Sequence, residues 1–264
     1  MTLAQILERR RLVENRCGFV PFLEAGDGSL RATERCALEL TRAGADILEL
    51  GVPFSDPVAD GPVIQAASER ALRSGTTLAK TLVLAGRLKN AGAPPIVIFT
   101  YLNPAMRMGR DAFARVCKKA GVAGALIVDL PAEEWGPWKK ALEKNGVEPV
   151  LLASPTTTDE RLRLIGRRSG SIVYYVSREG VTGVRKGTMP STESRLRHVA
   201  RMTAKPLIVG FGVASRAQAQ ALARYCQGVV VGSALVSASA SGGPLKLRRL
   251  SREIVAGLSI QEKN

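Results

Sequence analysis

The chain has 264 residues, 45% of them hydrophobic, and a formal charge of +15 from 38 Lys and Arg against 23 Asp and Glu. That length and apolar content suit one large α/β unit with a sizeable core, and no apolar run reaches the roughly 18 residues of a membrane span. The basic residues are dispersed, without aromatic interleaving or a nucleic-acid motif, so they read as solvated helix faces or as steering for an anionic substrate.

The opening MTLAQILERRRLVE has no uninterrupted apolar core and reads as a short amphipathic helix, not a secretory leader. After it, short apolar runs alternate with helical patterns. The predicted strands are Gly18–Leu23, Ile47–Leu50, Pro95–Phe99, Ala125–Val128, Pro149–Leu152, Ile172–Val176, Leu207–Val209 and Val229–Val231. The helices between them carry apolar residues on one face, for example Cys36, Ala37 and Leu40 in Leu30–Ala43. Thr157 with Glu160, and Ser215 with Gln218, have capping-box spacing, while Gly121 and Asn145–Gly146 are helix stops. The run Ser237 to Gly243 reads as a flexible connection before a last helix. Eight βα units without a composition break predict a single (β/α)8 barrel, one domain over residues 1–264 with an extra N-terminal helix. An open doubly wound sheet is the weaker alternative, since no GxGxxG follows the first strand.

The four cysteines are far apart and without metal-ligand spacing, and the only histidine is His198. Acid–base chemistry therefore falls to carboxylates, Lys or Tyr. The stretch ELGVPFSDPVADGP (Glu49 to Pro62) supplies two of them. Glu49 interrupts a run that reads as a buried parallel strand, so it is paired, protonated or catalytic, or else sits at the strand end with its head in solvent. Asp60 lies in the long connection that follows, which in a barrel belongs to the active-site face. The seventh strand ends in GFGVAS (Gly210 to Ser215) and the eighth in VGSA (Val231 to Ala234). Glycine turns there expose backbone amides and suit a phosphate, or are ordinary strand-ending turns. The polar, glycine-containing SREGVTGVRKGTMP (Ser177 to Pro190) suits a lid over a phosphorylated ligand.

ELGVPFSDPVADGP resembles the signature of the tryptophan synthase α-subunit family. The resemblance continues in order through FVPFLEAGD, TYLNP, VDLPAEE, SPTTTDERL, YYVSREGVTG, GFGV and VGSA, and so covers nearly the whole chain. It implies a carbon–carbon lyase: retro-aldol cleavage of indole-3-glycerol phosphate to indole and glyceraldehyde 3-phosphate, with no cofactor in this chain. By that resemblance Glu49 is the main acid/base and Asp60 binds the indole N–H and balances the charge that develops on the ring. Tyr174 holds Glu49, and Phe22, Tyr101 and Asp129 line the indole and glycerol part of the pocket. Gly183, Phe211, Gly212, Gly232 and Ser233 contact the phosphate, and Thr182 in the lid closes toward Asp60. Each aromatic also has a plain core-packing reading. Glu49, among apolar strand residues, is expected to have the raised pKa, and Asp60, in a polar loop, to stay ionised.

The same resemblance implies a cytoplasmic enzyme working in an α2β2 assembly, with pyridoxal phosphate only in the β partner and with Pro53, Asp56 and Pro57 facing that partner. No membrane or specific nucleic acid is implied. Two residues of one segment depart from the family, Glu24 and Gly28 standing where Thr and Pro are common, and the strongly basic balance is also atypical. The competing readings are an interaction subunit that mainly activates the β chain, a stand-alone lyase that releases free indole and, last, a non-specific nucleic-acid binder.

Overall fold

The computed structural model describes residues 1–176 and 189–260. Nine parallel strand segments follow one another: β1 (Gly18–Glu24), β2 (Leu48–Gly51), β3 (Ile96–Thr100), β4 (Gly124–Ile127), β5 (Glu148–Pro149), β6 (Leu151–Ala153), β7 (Val173–Val176), β8 (Leu207–Gly210) and β9 (Gly228–Val231). Their order in the sheet is β5-β4-β3-β2-β1-β9-β8-β7-β6. The two outermost segments are halves of one stave, broken at Val150. β5 pairs with β4 and β6 pairs with β7, so the sheet curls round and meets itself across this break. Proline at 149 has no N–H to continue a ladder, and the next amide, Val150, donates to Ala125 at 2.9 Å. The predicted fifth strand is thus present but split, and the fold is the expected (β/α)8 barrel.

Inward side chains such as Val20, Ile47, Val97, Leu126, Ile172 and Val230 form the barrel interior, which has no water to meet on either face. The N-terminal end is closed by α1 (Leu3–Glu14), whose Leu3, Ile6 and Leu7 join that interior cluster. Glu148 at the start of β5 fixes the plug: its carboxylate accepts from the amides of Leu3 and Ser171, both at 2.8 Å. A carboxylate at the amino end of a helix satisfies free N–H groups and complements the dipole.

Ten helices cover the outer faces of the strands with the larger apolar cluster or follow them at the barrel rim. They are α2 (Leu30–Arg42), α3 (Pro62–Arg73), α4 (Leu78–Asn90), α5 (Leu102–Met108), α6 (Arg110–Ala120), α7 (Trp135–Lys144), α8 (Asp159–Arg168), α9 (Met189–Thr203), α10 (Arg216–Ala223) and α11 (Ser233–Gly257). Three local expectations change. The run Ser237 to Gly243 is not a flexible connection but part of α11, which breaks only at Gly243 (φ 62°) ahead of Pro244. Burial of Val236 and Ala238 outweighs the loop-like composition. The cap of α8 is Thr158 rather than Thr157, whose hydroxyl instead accepts from the amide of Ser154. The short α5 was not predicted, because Pro104 sits within its first turn, where proline needs no N–H partner.

A buried ion pair joins the chain segments that lead into the first two strands. Asp46, just before β2, accepts from both terminal nitrogens of Arg16 at 2.6 and 2.9 Å, and from the Phe19 amide at 2.8 Å. Arg10 on α1 adds a second cation at 2.6 Å. We predict that Asp46→Ala, which leaves Arg16 with only the more exposed Glu14 as counter-charge and strands the Phe19 amide, lowers unfolding free energy by about 3 kcal/mol in denaturant titration.

Candidate active site

Glu49 occupies an inward position of β2, in register with Phe22 on β1 and Val97 on β3. Its neighbours on the strand, Leu48 and Leu50, point into the outer core. The carboxyl is 1% exposed, and its Oε1 has no hydrogen-bond partner. Desolvation alone raises its pKa to about 8. The carboxyl is therefore mostly neutral at pH 7, as the sequence analysis expected of a buried strand glutamate.

Asp60 stands in the loop between β2 and α3. The turn is tied by the Asp60 amide to the Pro57 carbonyl at 3.0 Å and by Gln65 Nε2 to the Asp60 carbonyl at 2.9 Å. Pro62 then opens α3, where a fixed φ and a missing N–H are both harmless. Tyr101 donates its hydroxyl to Asp60 Oδ2 at 2.9 Å and accepts from the Ala59 amide at 3.1 Å, while its ring stacks on Phe54 at 4.8 Å. Burial pushes the Asp60 carboxyl upward and the Tyr101 hydrogen bond pulls it back. The loop is thus less polar around Asp60 than its sequence suggests, but this carboxylate has a donor and that of Glu49 has none.

Both carboxylates line a cavity of about 1230 Å³ at the C-terminal end of the strands. Its apolar wall is made by Phe22, Ile64, Phe99, Ile127, Leu152 and Tyr174. Phe22 and Phe99 meet edge to face at 5.4 Å. Asp129 lines the cavity and accepts from the Leu102 amide at 2.7 Å, which also caps α5. Opposite lie Gly212, Gly232 and Ser233. Gly212 has φ +66°, a backbone state that suits glycine, and no side chain caps the start of α11 at Gly232. Open amides at a helix start favour an anion.

Of the residues expected at the site, then, Phe22, Glu49, Asp60, Asp129, Tyr174, Gly212, Gly232 and Ser233 share one cavity. Tyr101 does not line it, but supports Asp60 from behind. The ring of Phe211 packs against Tyr175 at 5.8 Å, in the core between strands and helices, which leaves its backbone as the part near the cavity. Thr182 and Gly183 lie outside the described residues. Tyr174 is buried beside Glu49, and both the desolvation and the two nearby carboxylates push its hydroxyl far above the usual range. Among the described residues no hydrogen bond joins it to Glu49. Its place depends on Gly210, where a Cβ would lie 2.5 Å from the Tyr174 hydroxyl.

Phe99 and Leu152 were missed as site residues. Strand alternation could have found them, since they lie two positions beyond the inward Val97 and Val150. His198 is engaged with Asp159 at 2.7 Å, and all four cysteines are buried and unpaired by disulfide. Among the described residues, no three His, Cys, Asp or Glu side chains are grouped to hold a metal, and no helix is long and apolar enough to cross a membrane.

Known proteins share this chain's sequence pattern and fold. The profile of the tryptophan synthase alpha chain family matches residues 9–257. The tryptophan synthase alpha chain of Caulobacter sp. (strain K31) is 46% identical over 224 residues, 84% of this chain and 82% of that one. That of Coxiella burnetii (strain CbuK_Q154) is 45% identical over 224 residues, covering 85% and 87%. Among solved structures, the open form of M. tuberculosis tryptophan synthase with BRD0059 bound superposes with a TM-score of 0.90 at 36% identity, covering 98% of this chain and 99% of that one. The alpha subunit from Legionella pneumophila str. Paris gives 0.89 at 32% identity, with 98% of each chain covered. The chain therefore belongs to the tryptophan synthase alpha chain family, whose members cleave indole-3-glycerol phosphate to indole and glyceraldehyde 3-phosphate and work with a beta chain.

Proposed function

We propose that residues 1–264 act as one working unit in which Glu49 is the proton carrier and Asp60 the counter-charge of the retro-aldol cleavage. The observation that carries this is the pair itself: a neutral, unpartnered carboxyl and a hydrogen-bonded carboxylate lining one cavity. The carbon–carbon bond of the substrate breaks only when the indole ring can accept its electron pair. Protonated Glu49 gives its proton to the indole C3, and the resulting positive charge spreads to the ring nitrogen, where Asp60 accepts the N–H. The bond from C3 to the side chain then breaks, its electrons restore the aromatic ring, and the side-chain hydroxyl becomes an aldehyde. That hydroxyl proton returns to the Glu49 carboxylate. One residue thus serves as acid and then base, and ends in the state in which it began.

The apolar wall with Phe22 and Tyr174 excludes water from the ring, and Tyr174 fixes the side of the cavity nearest Glu49. Tyr101 holds Asp60 in position, and Asp129 faces the glycerol part. Gly212, Gly232 and Ser233, with the Phe211 backbone and with Gly183, bind the phosphate through N–H groups, while Thr182 closes toward Asp60. The surplus of basic side chains favours arrival of the dianionic phosphate. This chemistry asks for no cofactor in this chain. We further infer a cytoplasmic α2β2 assembly in which the β chain carries pyridoxal phosphate and receives the indole, with the loop after β2 toward it through exposed Asp56 and half-buried Pro57, while Pro53 is buried beneath them.

Glu49→Gln is expected to lower the rate of indole release by about 10³-fold or more without loss of the native circular dichroism spectrum. Turnover near that of the parent would sink the assignment. For Asp60→Asn the expected loss is about 10²-fold, since the amide still accepts the N–H but brings no charge. The pH profile has a defined sign. The active form of Glu49 is the acid, so with a pKa of about 8 kcat/KM is expected to hold at neutral pH and to fall above pH 8. A rate that rises through pH 8 would assign Glu49 as a base in its resting state instead.

A further inference from the structure

A third carboxyl lies at this end of the barrel and takes no part in the steps above. Glu24, the last residue of β1, is 5% exposed, and its Oε1 has no hydrogen-bond partner. It stands two residues beyond Phe22, over the last residue of β2. A Cβ on Gly51 would lie 2.6 Å from Glu24 Oε2 and 2.5 Å from Phe22 Cζ. The missing side chain at 51 is therefore what leaves room there for both the carboxyl and the ring. The edge of an aromatic ring carries partial positive charge, so a carboxyl oxygen is a favourable neighbour for it. On its other side Glu24 faces a small cavity of about 10 Å³ whose lining includes Asp27, Thr33, Cys36 and Ser239, with room for no more than one water.

We propose that Glu24 is a positioning residue of the reaction, a neutral wedge over Gly51 that holds Phe22 in the wall of the indole pocket and fails when it ionises. This rests on the reading of that wall as the indole site. The charges around Glu24 explain the second half. Asp27 on the β1–α2 loop and Asp60 on the β2–α3 loop both present negative charge to it. Burial comes first, and these two carboxylates add to it, in pushing Glu24 well above the usual range. From α3 the nearby cation is Arg70, but both of its hydrogen bonds, at 2.6 and 2.9 Å, go to Asp27. From α2 comes the Cys36 thiol, raised mainly by burial, and α11 contributes only the neutral Ser239. An ionised Glu24 would therefore have to move toward solvent, and the edge of Phe22 would lose its support.

The test is the pH dependence of indole release by the full chain, compared with Glu24→Gln and Glu24→Ala. With two ionisations on the alkaline side, Glu49 and Glu24, kcat/KM of the unmodified chain should fall toward about a hundredfold per pH unit. Glu24→Gln keeps the wedge and removes one ionisation, so its fall should approach only about tenfold per unit. Glu24→Ala removes the wedge, and its KM should rise about tenfold, more than its kcat falls, because the pocket wall is misplaced. In parallel, binding of a non-cleavable indolyl-alkyl phosphate is followed by calorimetry at pH 7. If the unmodified chain binds it but releases no indole, the lyase reading fails while a tenfold loss of binding in Glu24→Ala still supports the wedge. Equal alkaline slopes in the unmodified chain and Glu24→Gln, or unchanged binding in a folded Glu24→Ala, would overturn the proposal.

Discussion

The energetic constraint around which the site is arranged is the burial of the Glu49 carboxyl without a donor. Ionised, it would sit in a low-dielectric interior at a cost of several kcal/mol, so the protein keeps it protonated near neutral pH. That cost is tolerated on an inward strand position, where the backbone is held by ladders to β1 and β3 and cannot relax toward water. A glutamate on a loop would escape to solvent and return to an ordinary pKa. Rigidity of the barrel is thus the condition for a carboxyl that stays protonated near neutral pH.

The same constraint explains features far from the carboxyl. A water-filled barrel would solvate Glu49 from below, and α1 prevents this by setting Leu3, Ile6 and Leu7 against the inner layer of the strands. Glu148 and the Arg16–Asp46 pair hold that plug and the entry to β1 and β2 in place. Above, glycine is required where large groups must reach inward: Gly210 makes room for Tyr174, and Gly51 for Phe22 and Glu24. The interior is dry below and shaped above, and the Glu49 carboxyl lies between the two.

Much of this was legible in the residues. The alternation of apolar runs and helical periods is strong because parallel strands are buried on both faces, and it located every barrel stave. Glu49 was visible for the same reason, as the one charge inside such a run. Less visible were features decided by tertiary contact. Pro149 marks an interruption of its ladder, but nothing local shows that the two halves of the stave pair with different neighbours, and the helical state of Ser237 to Gly242 comes with the packing of Val236 and Ala238 into the core. Asp60 lies among loop residues, yet the cavity and the Tyr101 hydroxyl determine its environment, and Tyr101 is distant in sequence. Phe211 carries the motif position of a pocket residue, but its ring belongs to the outer core because side chains on neighbouring positions of a strand end face opposite ways.

The contrast between the two carboxylates follows from where each is attached. Both are raised by burial, so burial alone does not divide the labour between them. The difference is that Glu49 is fully buried and Asp60 only in part, and that Asp60 has a hydroxyl donor. Tyr101 donates to Asp60, and a donated hydrogen bond stabilises the anion, whereas the free oxygen of Glu49 has nothing to favour its charge. Tyr101 can do this because it follows β3 directly and because the Ala59 amide fixes its hydroxyl as an acceptor there, which leaves its proton for Asp60. One backbone amide in the loop that carries Asp60 thus helps to set which of the two carboxyls is favoured as the anion. A change in that loop would alter the protonation of the site without touching either carboxylate.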